Sequence, residues 1–128
     1  AEIKTMVDQV AEKFRHIDIL INNAGVFFDH PIESSSYEVW QQAWADTLGI
    51  NLVGAANVTW CALQHMPRHG DSRIVNVGSR GAFRGEPVSP AYGASKAAIS
   101  EAFLLSSLPP KRIILPEVSD CAFCNTLA

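Results

Sequence analysis

The chain has 128 residues, of which 48% are hydrophobic and 18% charged, and its net charge is −3. This length suits one domain, and mild acidity without a basic run argues against a nucleic-acid partner. No apolar run reaches the roughly 18 residues of a membrane helix, so no membrane association is expected. Three cysteines, including Cys121 and Cys124, predict no disulfide framework. We therefore expect a reducing compartment, either the cytoplasm or an organelle lumen.

The first half of the chain predicts a helix, a buried strand and a long helical stretch. Apolar residues at helical spacing indicate a helix over Glu2–Phe14, and the sequence enters it without a visible cap. We interpret this start as an entry partway through a larger domain. Residues 17–21 form a short apolar run that stops at turn residues, which is typical of a strand in a parallel sheet. Three serines at 34–36 are candidate N-caps for one or two helices over residues 37–66.

The second half continues the alternation. Residues 72–77 predict a second buried strand, followed by a Gly-rich loop over 78–90 and a helix over 91–105. A short third strand is predicted at 113–115. This order indicates an α/β fold with right-handed crossovers. The strand at 17–21 is expected to present an apolar edge, which favours poor folding of the chain by itself or weak cofactor binding.

Tyr92 and Lys96 are the first candidates for chemistry. The reference pKa of a tyrosine phenol is about 10, roughly three units too high for easy proton exchange at neutral pH. A lysine four residues later lies on the same helical face and favours the phenolate. Since three units correspond to about 4 kcal/mol, the pair would need a site sheltered from water.

Other polar residues are predicted to meet this pair. Asn22-Asn23-Ala24-Gly25 follows the first strand, and Gly78-Ser79 follows the second. In open α/β sheets, ligands lie beyond the carboxyl ends of the strands, where the next helix begins. A serine hydroxyl, a phenol and an ammonium together can polarise a carbonyl and move one proton. Such a site needs no metal, and none is predicted.

Four segments together resemble the successive signatures of the short-chain dehydrogenase/reductase family. They have the family's order and matching separations, and they are Asn22-Asn23-Ala24-Gly25, Ile50-Asn51-Leu52-Val53-Gly54, Arg73 to Ser79, and Tyr92-Gly93-Ala94-Ser95-Lys96. The resemblance implies a partial Rossmann-like, doubly wound parallel sheet. It would lack the N-terminal βαβ half that seats the cofactor and the usual C-terminal part. Residues 1–102 would be the central portion of one domain, and residues 103–128 a divergent tail.

The resemblance also implies roles for individual residues. Tyr92 would be the general acid/base, and Lys96 would lower the pKa of Tyr92 and hold the nicotinamide ribose. Ser79 would hydrogen-bond the substrate carbonyl, and Asn51 would keep a water in a proton relay. Three further residues would form a wall near the adenine ribose, namely Asn23, Ala24 and Gly25.

The implied reaction is hydride transfer between NADP or NAD, with NADP favoured, and a small-molecule carbonyl or alcohol. Residues 81–87 are most similar to 3-oxoacyl-acyl-carrier-protein reductase members, and a homo-oligomer is expected for the complete enzyme. The alternative is a catalytically inactive truncated product, or a non-catalytic subunit. Such a subunit would pair with an intact relative through the helices over 37–66 and 91–105. The substrate, the direction and the choice of NAD or NADP stay open.

For several other residues, a functional role and a purely structural role are both considered. The Cys121–Cys124 spacing could form a redox pair or half a zinc site, but no second pair exists. Trp40 and Trp44 are expected to pack in the core or at an interface rather than form a ligand cage. Arg80 and Arg84 are interpreted as loop charges, with an anionic substrate as the alternative. The histidines lack a shared metal spacing, which predicts solvated or helix-end roles for His16, His30, His65 and His69.

Overall fold

The computed structural model describes residues 2–67, 72–102 and 112–114. Its helices are α1 (Glu2–Phe14), α2 (Tyr37–Leu48), α3 (Ala55–Leu63), α4 (Gly81–Arg84) and α5 (Pro90–Ala102). Its strands are β1 (Ile19–Asn22), β2 (Arg73–Asn76) and β3 (Arg112–Ile114), and a π-helical segment (Gly49–Gly54) joins α2 to α3. Among these helices, none has the length and apolar character needed to cross a membrane.

The three strands form one parallel sheet in the order β1-β2-β3. Leu20 pairs with Ile74, and Asn22 pairs with Asn76 at the carboxyl ends of β1 and β2. The helices α1, α2–α3 and α5 alternate with the strands along the chain. The prediction of a parallel α/β arrangement is therefore confirmed, with strand ends shifted by one or two residues.

The core lies between one face of the sheet and helices α1 and α3. Its buried cluster comprises Val7, Cys61, Ala62, Met66 and Ile74, with Ile17 and Leu20 packed against it. Leu20 and Ile74 are register partners and face the same side, because paired residues of parallel strands share a face. This packing fixes the height of β1 and β2 relative to the helices.

The side chains of β1 that point away from this core remain accessible. Ile19 is 59% exposed and Ile21 is 60% exposed. Within the described residues β1 pairs with β2 alone, so its other edge is open. Strand β1 therefore has both the open edge that the sequence predicts and an exposed apolar face formed by Ile19 and Ile21.

Helix α2 begins where the serine run predicts. Ser36 is the N-cap, and its hydroxyl oxygen accepts a hydrogen bond of 3.3 Å from the Val39 N–H. Hydrogen bonds from its own backbone N–H and from Ser36 lower the pKa of Glu38 in the first turn. The carboxylate charge is therefore placed where the helix dipole favours it.

Two predicted elements differ from the structure. The helical stretch over 37–66 is interrupted by the π-helical segment, and α3 ends at Leu63. The segment 78–90 is more than a loop, since it contains the short helix α4, and that expectation was wrong there. Gly93 lets α4 approach α5 closely, because a Cβ at this position would lie 3.2 Å from the Gly81 carbonyl oxygen.

Part of the sequence prediction lies outside the described residues. The proposed tail over 103–128 falls there apart from β3, so the boundary at residue 102 stays a prediction. The same holds for Cys121, Cys124 and His69.

Candidate active site

Two buried asparagines hold together the carboxyl ends of β1 and β2. The Asn22 side-chain N–H donates to the Asn76 side-chain oxygen over 2.8 Å and to the Thr59 hydroxyl over 2.9 Å. The Asn22 backbone carbonyl accepts from the Val77 N–H at 3.0 Å. These bonds set the edge from which the next loops begin. The candidate site lies at this edge, as the strand order predicts.

Lys96 is buried at this edge, with 5% of its surface exposed. Its Nζ donates a hydrogen bond of 2.8 Å to the Val77 carbonyl oxygen, directly after β2. Burial lowers the pKa of the Lys96 ammonium, because a charge loses hydration there. An ammonium carries three N–H donors, and Val77 accepts one of them.

Tyr92 lies in the first turn of α5, one turn before Lys96. The Lys96 Nζ is 5.7 Å from the centroid of the Tyr92 ring. The Phe27 ring contacts the same phenol ring, with centroids 4.9 Å apart and planes tilted by 58°. The positive charge and the phenol are therefore neighbours beside an aromatic wall, on the face that the four-residue spacing predicts.

Ser79 follows β2 by three residues and is half-buried. Its hydroxyl oxygen accepts a hydrogen bond of 3.1 Å from the Gly81 N–H, at the start of α4. Because that bond uses an oxygen lone pair, the hydroxyl hydrogen can still be donated to another group. Ser79 is thus oriented by α4 as a potential donor.

Asn51 lies within the π-helical segment and is 1% exposed. Its Oδ1 accepts from the Val26 N–H at 2.7 Å, and its Nδ2 donates to the Val26 carbonyl at 3.0 Å. The second Nδ2 hydrogen is directed at the Ser95 hydroxyl, 3.0 Å away. In turn, the Ser95 hydroxyl donates to the Tyr92 carbonyl at 2.8 Å. Asn51 therefore connects the loop after β1 to the helix that carries Tyr92, and both of its side-chain N–H donors are engaged.

Asn23, Ala24 and Gly25 are exposed beside these side chains. A Cβ at Gly25 would lie 3.3 Å from Asn51 Oδ1 and 3.7 Å from Lys96 Nζ. Glycine here leaves the backbone accessible directly beside the ammonium. This short segment thus forms an open surface next to the buried cation.

The sequence interpretation missed the position of His30. A solvated role was one of its two predicted alternatives and is wrong, because the side chain is fully buried. Its Nδ1 donates to the Phe28 carbonyl at 2.7 Å, and its Nε2 accepts from the Ala91 N–H at 3.3 Å. It is therefore a helix-end histidine, at the start of α5. Its loop has no periodicity that could have revealed this long-range contact.

Trp40 packs against both Trp44 and His30. The two indole rings have centroids 5.8 Å apart, and the Trp40 ring meets His30 edge-on at 5.4 Å. This arrangement agrees with packing rather than a ligand cage. In the parts of the chain that are described, no group of three or more His, Cys, Asp or Glu residues is arranged to hold a metal ion.

The sequence pattern of the short chain dehydrogenase family matches residues 1–107. The chain belongs to this family. It is 35% identical over 98 residues to the 3-oxoacyl-(acyl-carrier-protein) reductase FabG of Thermotoga maritima, covering 77% of this chain and 38% of the relative. It is 39% identical over 95 residues to the 2-dehydro-3-deoxy-D-gluconate 5-dehydrogenase of Bacillus subtilis, covering 73% and 36%. The chain thus spans less than two fifths of the length of these two relatives.

Solved structures of the family share the fold. A short-chain dehydrogenase/reductase from Brucella melitensis superposes with a TM-score of 0.73 at 32% identity, covering 85% of this chain and 45% of that one. A gluconate 5-dehydrogenase from Burkholderia cenocepacia in complex with NADP and tartrate gives a TM-score of 0.65 at 28% identity, covering 76% and 36%. An NAD+-bound xylitol dehydrogenase also gives 0.65, at 35% identity, covering 76% and 36%. The three-stranded sheet and its helices are therefore part of the Rossmann-like fold of short-chain dehydrogenases.

Proposed function

We propose that the protein carrying this chain is an NAD(P)-dependent oxidoreductase in which Tyr92 exchanges a proton with the oxygen of a carbonyl or alcohol. The observation that carries the proposal is the buried Lys96 ammonium, 5.7 Å from the Tyr92 ring. Burying a charge costs free energy unless a partner of opposite charge or hydrogen bonds compensate for the lost hydration. The Val77 carbonyl accepts one hydrogen bond from the ammonium. A phenolate on the adjacent Tyr92 ring would be a second partner for the charge.

The residues around Lys96 fit the ribose of a nicotinamide cofactor. The ammonium has two donors beyond the one that Val77 accepts, and a ribose has two neighbouring hydroxyls. Gly25 leaves the surface beside the ammonium open, since a Cβ there would crowd Asn51 Oδ1 and fill the space next to Lys96 Nζ. Lys96 and Tyr92 would hold the nicotinamide ribose, and the exposed segment 23–25 would contact the adenine side. When bound, the cofactor supplies or accepts a hydride.

In the direction of reduction, Tyr92 donates its phenolic proton to the carbonyl oxygen as negative charge develops there. Ser79 donates a second hydrogen bond to the same oxygen. Its hydroxyl hydrogen is available for this bond, since the contact with the Gly81 N–H uses only a lone pair of the Ser79 oxygen. The Lys96 charge stabilises the phenolate that remains. In the direction of oxidation, the phenolate accepts the alcohol proton by the same path.

Asn51 acts in this proposal as a positioning residue. Its side-chain donors are used by Val26 and Ser95, so its amide group holds the loop and the helix α5 in register. A water of the proton relay would therefore use the remaining lone pair of Oδ1 or backbone groups near Lys96. This narrows the role that the family resemblance implies for Asn51.

The relatives support the reaction class and leave the substrate open. Their names describe a ketoacyl reductase and dehydrogenases of a sugar acid and of xylitol, which are carbonyl or alcohol chemistries. Both NADP and NAD occur in the solved relatives. We favour NADP, as the resemblance to the reductase members of the family suggests, and we expect a homo-oligomeric enzyme.

Substitution of Tyr92 by Phe tests the proposal, with Tyr37→Phe as the control. The chain has two tyrosines, and Tyr37 is exposed at the start of α2. We expect Tyr92→Phe to lower kcat by about a thousandfold, the range of general acid–base catalysis, while NADPH binding is largely retained. Tyr37→Phe should leave kcat unchanged. Retained turnover in Tyr92→Phe would show that another group transfers the proton.

A second candidate function is a non-catalytic subunit that pairs with an intact relative. It is favoured by apolar side chains exposed along the helices that were predicted to pair, namely Ile50, Val53 and Trp60. Exposed apolar side chains of this kind can mark protein interfaces. Turnover measured together with sedimentation separates the two functions. A protein that lacks NADPH-dependent turnover but associates with a catalytically active relative in sedimentation would support the second.

A further inference from the structure

We propose that His30 is a remote N-cap of α5 and thereby a positioning residue for Tyr92. This inference rests on the proposed function for its catalytic consequence, and on the contacts of His30 for the cap itself. The histidine lies in the loop between β1 and α2, whereas the N-terminus that it caps lies 61 residues further along the chain.

The start of α5 needs a hydrogen-bond acceptor from elsewhere in the molecule. A helix leaves its first N–H groups without partners inside the helix. Pro90 has no N–H, so Ala91 carries the first such donor, and Ala91 is fully buried. A buried N–H without a partner costs about 1–3 kcal/mol.

Ser89 is the expected local cap, but its side chain does not act as one. Serine is among the preferred N-cap residues because its hydroxyl oxygen can accept from the first turn. The Ser89 hydroxyl is buried without a hydrogen-bond partner in the structure, although its backbone carbonyl accepts from the Tyr92 N–H at 3.0 Å. The Ala91 N–H is instead bound by His30 Nε2 at 3.3 Å.

The two ring contacts of His30 determine its protonation. The Phe28 carbonyl at 2.7 Å can only accept, so Nδ1 must carry a hydrogen. The Ala91 N–H can only donate, so Nε2 must be unprotonated. His30 therefore acts as a neutral ring with one donor and one acceptor, and each is used.

The position of the ring is fixed by its surroundings. His30 is fully buried, and the Trp40 ring meets it edge-on at 5.4 Å. Its backbone N–H donates to the Val88 carbonyl at 2.7 Å, two residues before α5 begins. The side chain and the backbone of His30 thus bind both sides of the turn that leads into α5.

The two ring contacts of His30 bind residues next to Tyr92 in the chain and next to the aromatic residue that packs on its ring. Ala91 immediately precedes Tyr92, and Phe28 immediately follows Phe27, whose ring contacts the Tyr92 ring. One rigid imidazole therefore sets the distance between the loop that carries the aromatic wall and the helix turn that carries the phenol. A general stabilising role would not require this pairing.

Two conservative variants separate the acceptor from the donor. In His30→Gln, the amide oxygen can occupy the place of Nε2 and accept from the Ala91 N–H. In His30→Asn, the shorter amide can replace Nδ1 and donate to the Phe28 carbonyl but cannot reach Ala91. Ser89→Ala is the matched control, because its hydroxyl has no partner to lose.

We expect His30→Asn to lower kcat between about fivefold and a hundredfold, the range from loss of one cap to a misplacement near 1 Å. The Kd for NADPH should be unchanged in this variant. His30→Gln should recover most of the lost kcat, and Ser89→Ala should keep wild-type kcat. If Ser89→Ala lowers kcat while His30→Asn does not, the local serine is the cap and the inference is overturned.

Amide hydrogen exchange at Ala91 tests the cap independently of turnover. We expect faster Ala91 exchange in His30→Asn and near wild-type protection in His30→Gln. If the wild-type protein has no oxidoreductase activity but this exchange pattern holds, the proposed function fails and the cap stands. Equal Ala91 protection in all variants would overturn the cap, whatever the activity. Equal losses of kcat in the Gln and Asn variants would overturn the positioning role.

Discussion

Replacing Lys96 by Met removes the buried charge while keeping a flexible apolar side chain of similar length. In the wild-type protein the ammonium donates to the Val77 carbonyl and lies 5.7 Å from the centroid of the Tyr92 ring. The substitution therefore leaves one carbonyl without its partner and the proposed phenolate without its cation. Both effects should oppose turnover.

The magnitude follows from the distance. With the phenolate charge placed at the ring centroid, 5.7 Å from Lys96 Nζ, two unit charges interact with about 3 kcal/mol at an effective dielectric constant near 20. That energy corresponds to about a hundredfold in rate if it acts on the phenolate-like transition state. We therefore expect Lys96→Met to lower kcat by about a hundredfold, and to raise the KM for the cofactor because the ribose loses its donors.

Lys13→Met provides a matched control in the same chain. The Lys13 Nζ lies 5.4 Å from the centroid of the Phe14 ring, a similar cation–ring distance at the end of α1. Steady-state reduction of a panel of ketones with NADPH, followed by NADPH absorbance, measures kcat and KM for both variants. Lys13→Met should match the wild type. A loss of less than about threefold in Lys96→Met, with folding intact by circular dichroism, would refute the electrostatic role of Lys96.

Two further variants test contacts away from the phenol. Asn51→Ala removes three hydrogen bonds, two of them to the partly buried backbone groups of Val26. We therefore expect this variant to be about 2–4 kcal/mol less stable to urea, whereas Asn57→Ala on the exposed surface of α3 should be neutral. Equal urea midpoints would contradict this. Hydrogen bonds from Lys4 and His65 lower the pKa of Asp8 in the folded protein. The ionised carboxylate therefore stabilises the fold above the unfolded pKa of about 4, and this contribution is lost as pH falls through the lowered folded pKa. Urea unfolding from about pH 6 to 3 should therefore show a smaller acid loss in Asp8→Asn than in the wild type, and parallel pH curves would argue against it.

The parts of the fold that could be predicted are those with a local signal. The alternation of apolar runs and turn residues indicates the parallel sheet, because a buried strand has to end where the chain turns. The four-residue spacing of Tyr92 and Lys96 indicates a shared helix face, and the structure brings the Lys96 ammonium beside the ring. The serine run before α2 likewise indicates its N-cap, which is Ser36.

The remaining features depend on contacts between distant segments. Nothing near His30 in the sequence identifies Ala91 as its partner, because that contact exists only once the loop and α5 have packed. Ser89 would be chosen as the cap from local preference, and its hydroxyl has no partner in the structure. Helix α4 has four residues and little periodicity, so its formation depends on packing against α5.

The π-helical segment over Gly49–Gly54 has a further consequence for the angular phase of the helices that it joins. Each residue of an α-helix turns the next side chain by about 100°, and a π-helical turn accommodates a residue more than an α-helical turn does. Helix α2 packs against α5, whereas α3 packs against α1 and β1. The segment thus changes the direction in which the following side chains point. As a result, α2 and α3 pack against different neighbours although they form one nearly continuous helix. Removing a single residue from it would lengthen regular α-helix while turning the buried face of α3 away from the sheet.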